Sequence, residues 1–325
     1  MTAQWAYELG TPDAFVELPG FAPGFTTSVK LEGLNPAGSI KLKAARAMVE
    51  AAEAKGVLGP GTRLIESTSG NLGVALASVC AAKGYPITLV TDPNANERSI
   101  RFIRALGAEV TVVGERDAMG GFLQTRIDLI HRLLVDDPKL VWLNQYANPA
   151  NPGAHRDGTA AEIFTRFGEP DWLFVGTGTG GTLMGCAEYV RTHGAATRIV
   201  AVDTAGSVTF GGPPARRWIP GLGTSRRPEI FQDDGTFDKV LVEERDTVRM
   251  CRRVAREYGL LLGGSSGTVL AAVQALRSTV PAGSSVLAIS PDLGDRYLES
   301  VYDDTWVRER FGVDALPAPE GSSPW

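Results

Sequence analysis

The chain has 325 residues, 43% hydrophobic and 21% charged, a composition that suits a globular protein with room for two modest domains and filled cores. Its formal net charge of -5 argues against nucleic acid or an anionic membrane surface as the main partner, and no apolar run is long enough to span a bilayer. Three cysteines (Cys80, Cys186, Cys251) and three histidines (His131, His155, His193) are dispersed, which disfavours a disulfide framework, a metal centre or a Ser-His-Asp triad.

The N-terminal MTAQWAYELGTPDAF has no basic flank followed by an apolar core, so no signal peptide is expected; with the cysteines read as core thiols, the expected location is the cytoplasm. The stretch NPAGSIKLKAARAMVE at 35–50 then predicts a helix. Asn-Pro and Gly38 make a turn, Ser39 is a good N-cap, and Lys55-Gly56 is a stop. A lysine in the first turn opposes the partial positive charge of the helix start. Helical spacing places Lys41 on a stripe with Ala44, Ala45, Met48 and Ala52, facing inward, and Lys43 on one with Arg46, Ala47 and Glu50, facing water. A buried lysine at a helix start either snorkels or is kept neutral for chemistry.

Short apolar runs follow at 63–67, 87–92, 109–114, 140–145, 172–178, 199–204, 239–244 and 285–290, with helix-like stretches such as 71–84 and 96–108 between them. This alternation predicts an α/β protein with open parallel sheets covered on both faces. The Asn/Pro-rich NQYANPANPGAH at 144–155 breaks the rhythm. It divides the chain into a smaller mobile α/β domain at 36–148 and a larger one built from 1–35 and 149–315, while the Pro/Ser-rich 316–325 is expected to be a flexible tail.

Two loops carry candidate chemistry. Gly176-Thr177-Gly178-Thr179-Gly180-Gly181-Thr182 lies between a strand and a helix, where converging N–H groups and hydroxyls suit an anion, phosphate above all. The same residues satisfy G-x-G-x-x-G, and Asp203 follows the next strand as a nicotinamide-binding unit would require. That alternative leaves Lys41 without a role. The second loop, Glu66-Ser67-Thr68-Ser69-Gly70-Asn71-Leu72-Gly73, offers a cradle for a carboxylate. A neutral amine, a carboxylate site and a phosphate site together are the equipment for handling an amino acid on pyridoxal phosphate, PLP.

The segments NPAGSIK, STSGNLG, GTGTGGT, IPGLGTS and GLLLGGSSG resemble, in order and approximate spacing, the cysteine synthase and cystathionine β-synthase family of fold type II PLP enzymes, from about residue 20 to 300. The resemblance implies that Lys41 holds the cofactor covalently and moves the Cα proton, and that Asn71 contacts its 3′-oxygen. It further implies that Thr68, Ser69, Gly70, Asn71 and Gln145 bind the substrate carboxylate, that 176–182 (Gly176, Thr177, Gly178, Thr179, Gly180 and Thr182 foremost) holds the phosphate, and that Ser265 faces the pyridine nitrogen. The family also implies a homodimer acting on small amino-acid substrates. Leu72 replaces the second threonine of the usual T-S-G-N-T-G loop. Together with Arg126 in GGFLQTRIDLI and Tyr146 after Gln145, this resembles the N-(2-amino-2-carboxyethyl)-L-glutamate synthases of 2,3-diaminopropionate biosynthesis. The expected reaction is β-replacement on an activated L-serine, O-phospho-L-serine with L-glutamate. Cysteine synthase is the alternative within the family, and a nicotinamide-dependent oxidoreductase the alternative outside it. Glutamate's second carboxylate needs a second cationic anchor, for which Arg126 is the candidate, and Arg216, Arg217, Arg226 and Arg227 are candidates for reading a phosphorylated donor.

Overall fold

The computed structural model describes residues 3–9, 14–68, 70–117 and 120–315. Strands β1 (Phe15–Glu17) and β2 (Thr26–Leu31) precede helix α1 (Lys41–Ala54). There follow β3 (Arg63–Ser67), α2 (Asn71–Lys83), β4 (Ile87–Thr91), α3 (Glu97–Ala105), β5 (Glu109–Val112), α4 (Leu123–Asp136) and β6 (Leu140–Trp142). The second half runs α5 (Ala150–Ala154), β7 (Trp172–Gly176), α6 (Gly181–His193), β8 (Arg198–Thr204), β9 (Asp238–Val242), α7 (Glu244–Tyr258), α8 (Gly264–Ala275), β10 (Ser285–Ser290) and α9 (Asp304–Phe311).

Two sheets result: a six-stranded one in the order β1-β2-β10-β7-β8-β9 and a four-stranded one in the order β5-β4-β3-β6. All neighbours pair in parallel except β1, which closes an edge antiparallel to β2. The alternation of side chains along a strand separates the cores. In the larger sheet Trp172, Phe174, Val200, Val202, Val286 and Ala288 pack into one apolar cluster, while Leu173, Val175, Ile199, Ala201, Leu287 and Ile289 pack into another on the opposite face. In the smaller sheet Leu64 and Leu89 face one cluster, and Ile65 and Val90 the other. Both sheets therefore have two covered faces, as their continuous apolar strands require. Helices α2 and α8 are buried over most of their length, from Leu72 to Ala77 with Val79 and Cys80 in the first and from Gly264 to Val273 in the second. Among the described residues no helix is long and apolar enough to cross a membrane.

The structure corrects three local expectations. The expected strand at 140–145 ends at Trp142, because the chain turns at Asn144 with φ of 50° and carries Gln145 against the end of β3, at Glu66 and Ser67. Strands β1 and β2 were not anticipated, since Lys30 and Glu32 break the apolar pattern there. Ser39 does not cap α1. Ile40 occupies the N-cap position without a side-chain cap, while Ser39 forms an antiparallel bridge with Asp292. The preceding turn is pinned by Asn35, whose Nδ2 donates to the carbonyls of Glu32 at 2.8 Å and Ser39 at 2.9 Å.

Candidate active site

The site lies at the carboxyl ends of the strands of both sheets, where open α/β sheets present their ligand positions. There the loop after β3, the glycine loop after β7 and the first turns of α1 and α8 converge.

Lys41 opens α1. It keeps some accessible surface but is enclosed by protein, and burial lowers its amine to a pKa of about 8, opposed by the charge of Glu66. Glu66 is fully buried at the end of β3, and burial pushes its carboxyl up to about 7. It accepts hydrogen bonds from Trp142 Nε1 at 3.0 Å and from the backbone N–H groups of Ser67 at 2.8 Å and Gln145 at 3.3 Å.

The carboxylate cradle is assembled around this group. Gln145 is buried and its Nε2 donates to the Ser67 carbonyl at 3.2 Å. Thr68, also buried, accepts from the Gly70 N–H at 3.3 Å. The Ser67 hydroxyl is buried with no hydrogen-bond partner among the described residues, a donor at hand for an incoming anion. Ser69 lies outside the described residues. Asn71, at the start of α2, is held from the other domain: its Nδ2 donates to Asp292 at 2.7 Å, and its Oδ1 accepts from Arg296. Tyr297 donates to the same Asp292 oxygen at 2.9 Å, and Arg296 reaches the Ala37 carbonyl at 2.7 Å, at the entry to α1.

The glycine loop is shaped by close approach. A Cβ on Gly181 would meet Asn151 Oδ1 at 2.1 Å, and one on Gly178 would meet the Gly221 carbonyl at 2.8 Å. Gly221, at φ of 113°, in turn leaves Ser265 only a van der Waals gap, so Gly178 and Ser265 stand on either side of one backbone turn. Ser265 is buried in the first turn of α8. Asn151 ties the glycine loop to the cradle, donating to the Gln145 carbonyl at 2.8 Å and to Thr179 Oγ1 at 3.3 Å. Thr177 Oγ1 is buried with no hydrogen-bond partner among the described residues, and Gly176, Gly180 and Thr182 complete the approach to the first turn of α6. Free N–H groups and hydroxyls at a helix start make this a ready anion cup.

Arg126 is not on the surface. It is 7% exposed on α4, its Nε 3.5 Å from Asp92, and its Nε and Nη1 have no hydrogen-bond partner among the described residues. Tyr146 is half-buried; burial raises its hydroxyl, and Arg126, Glu66 and Arg226 all act on it electrostatically. The remaining arginines have local partners: Arg216 lies over the Trp218 ring, Arg217 donates to the Gly206 carbonyl, Arg226 pairs with Glu229, and Arg227 lies over Phe231.

One further sequence expectation fails, and the nicotinamide alternative loses its acidic residue. Lys43 does not face water: its Nζ lies 2.9 Å from Glu32 and 2.6 Å from Glu162, beside Lys30, which bonds both carboxylates at 2.8 Å. The irregular helical turns at His155–Ala160 cover that side of α1. Asp203 is unsuited to a ribose. It is fully buried, accepts the Thr204 N–H at 2.7 Å, and faces the Ser207 and Thr209 hydroxyls. Sequence reasoning also missed partners of the site. Glu66, Asn151, His155, Asp292 and Arg296 are brought in by folding; Glu66 stood inside a loop singled out for chemistry, whereas Asn151 and His155 stood in the 144–155 stretch read only as the passage between domains.

Residues 7–292 match the family model for pyridoxal-phosphate dependent enzymes. The chain belongs to this family, and its cofactor is pyridoxal 5′-phosphate. It is 41% identical over 318 residues to the N-(2-amino-2-carboxyethyl)-L-glutamate synthase of Ralstonia nicotianae, covering 97% of this chain and 94% of the relative. It is 40% identical over 292 residues to the synthase of the same name from Cupriavidus metallidurans, covering 89% and 86%. Among solved structures, O-ureido-L-serine synthase superposes with a TM-score of 0.85 at 31% identity, over 94% of this chain and 99% of that one. The O-acetylserine dependent cystathionine β-synthase of Helicobacter pylori also gives 0.85, at 28% identity over 92% and 98%.

The residues present fit the cofactor: an enclosed amine of lowered pKa, a hydroxyl-lined anion cup and a buried hydroxyl at Ser265. Only the unprotonated amine attacks an aldehyde. Capture of PLP by the apoprotein is therefore expected to quicken about tenfold per pH unit below about 8 and to level off above it. Stopped-flow absorbance across that range reads the profile, and a flat response would contradict the lowered amine.

Proposed function

We propose that the protein catalyses PLP-dependent β-replacement on O-phospho-L-serine with L-glutamate, forming N-(2-amino-2-carboxyethyl)-L-glutamate and phosphate. The observation that carries this reading is Arg126, a buried guanidinium whose Nε and Nη1 make no hydrogen bond among the described residues, with Asp92 3.5 Å away, and whose charge acts on Glu66 and Tyr146 beside the carboxylate cradle. Glutamate brings two carboxylates besides its amine, whereas sulfide brings none. The names of the two relatives support the same choice.

In this reading PLP supplies electron withdrawal that weakens the Cα–H bond and the bond to the β-substituent. Lys41 takes the Cα proton of the donor and returns it after the glutamate amine has added at Cβ. Thr68, Ser69, Gly70, Asn71 and Gln145 orient the donor carboxylate. The glycine loop holds the cofactor phosphate, Asn71 and Ser265 hold the ring edges, and Arg126 and Tyr146 hold the far carboxylate of glutamate. Movement of the 36–148 domain toward the larger one excludes water after the donor has lost its phosphate and before the glutamate amine adds. We place the enzyme in the cytoplasm as a homodimer, a location supported by three buried free thiols.

The direct test mixes the holoenzyme with O-phospho-L-serine, follows phosphate release, and supplies glutamate or sulfide in parallel, with products identified by mass spectrometry. The glutamate adduct is expected. Product from sulfide alone would make the protein a cysteine synthase. Arg126→Gln should raise the KM for glutamate about ten- to a hundredfold and leave that for phosphoserine nearly unchanged, because a charge-assisted hydrogen bond is lost at one substrate only. Equal effects on both would remove Arg126 from the glutamate site.

A further inference from the structure

We propose that Lys43, Thr159 and His155 form a one-way hydrogen-bond relay that points the Thr182 hydroxyl proton into the glycine loop, toward the cofactor phosphate. The inference rests on the reading of that loop as the phosphate site. The three act as positioning residues, touching the cofactor only through Thr182.

The relay begins with a group that can only donate. Lys43 Nζ has three N–H bonds and three acceptors: Glu32 at 2.9 Å, Glu162 at 2.6 Å and Thr159 Oγ1 at 3.4 Å. An ammonium offers no lone pair, so Thr159 Oγ1 accepts a hydrogen bond from Lys43 and directs its own O–H elsewhere. His155 Nδ1 is 3.1 Å from that oxygen. Both Thr159 and His155 are buried, at 0% and 1% exposure, where an unspent hydroxyl proton is costly.

The imidazole then fixes the sense of the chain. Burial, with Lys41 and Lys43 nearby and only Glu32 opposing, drops His155 to about 3, so the ring is neutral and carries one proton. With Nδ1 accepting from Thr159, that proton is on Nε2, 3.4 Å from Thr182 Oγ1. Nε2–H donates to Thr182, whose own proton is left for an anion at the start of α6. In the reverse wiring Thr182 would donate to Nε2 and turn lone pairs toward the phosphate, a repulsive arrangement. The irregular turn at His155–Ala160 holds His155 and Thr159 one above the other, and such turns recur at functional sites.

The test is the tautomer of His155 in the 15N-labelled holoenzyme, read from long-range proton–nitrogen correlations, with the resonances identified by their loss in His155→Gln. A neutral Nε2–H ring is expected, and an Nδ1–H ring overturns the relay. In parallel, Thr159→Val keeps the shape but breaks the chain. It should weaken PLP binding about tenfold and shift the phosphorus resonance of the bound phosphate. His155→Gln, which retains a side-chain amide donor, should lose less than His155→Leu. Unchanged affinity and resonance in Thr159→Val would overturn the relay too, and a misfolded variant leaves the tautomer of the native protein to decide. If the native protein binds no PLP, the phosphate reading of the loop fails, a separate result visible before any variant is made.

Discussion

Lys41→Ala is expected to abolish the visible absorbance of the lysine-bound cofactor and to cut turnover by at least about 10³-fold. General acid–base work by a positioned side chain alone contributes about 10²- to 10⁴-fold, and Lys41 is asked both to hold the cofactor and to move the Cα proton. The variant should still retain PLP without a covalent bond, because the glycine loop and Asn71 are untouched. Its spectrum should then be that of the free aldehyde. A retained native band, or turnover within about tenfold of the native value, would show that another amine does the work. Lys43 is the nearest rival in sequence, but its three protons are committed to Glu32, Glu162 and Thr159.

The second large effect concerns stability. Lys30 is completely buried, and Glu32 beside it is too. Burial alone would pull the Lys30 ammonium down, yet Glu32 and Glu162 overcome it and hold the group above the ordinary lysine range. Lys30→Met leaves two carboxylates sharing one lysine in an apolar setting. The expected loss is about 3 kcal/mol, the usual cost of removing one partner of a buried ion pair. Urea denaturation measures it. A double variant, Lys30→Met with Glu162→Gln, should recover part of the loss; no recovery would mean that shape rather than charge is at stake. The pH dependence has a definite sign. The Glu32 carboxyl is lowered in the folded state: burial opposes this, and Lys43 and Lys30 outweigh it. Its stabilisation is therefore present above the unfolded value of 4.5 and is lost as the pH falls through the lower folded value. Lys30→Met should flatten that acid limb.

The two sheets and the two anion-binding loops were legible because their signals are local. An apolar run of four to six residues between turn residues identifies β3, β4, β7, β8 and β10 wherever the chain goes next, and a glycine-rich loop between such a run and a helix announces itself. What was missed depended on partners far away in sequence. The β2 segment reads as TSVKLEG, and its two charges look wrong for a buried strand until Lys43 and Glu162 arrive to pair them. Lys43 itself was assigned to water by its helical stripe, a rule that considers one helix alone and knows nothing of the turn packed across it. Ser39 had the right chemistry for an N-cap, yet its bridge to Asp292 fixes it one position too early. The histidines were set aside as dispersed, although distance along the chain says nothing about where a single imidazole ends up. The position of Lys41 could be argued from the sequence, whereas Glu66, whose charge bears on its amine, acquired a role only from the fold.

The order of strands in the larger sheet also bears on how the protein is made. β2 sits between β1 and β10, paired with a strand some 260 residues further along, whereas β3 to β6 are contiguous in sequence. As the chain leaves the ribosome, the four-stranded sheet can close early, while β2 must wait, unpaired on one side, until β10 has been made. During that wait Lys30 and Glu32 leave charges on an open strand edge, the arrangement by which sheet edges generally resist pairing with a neighbouring chain.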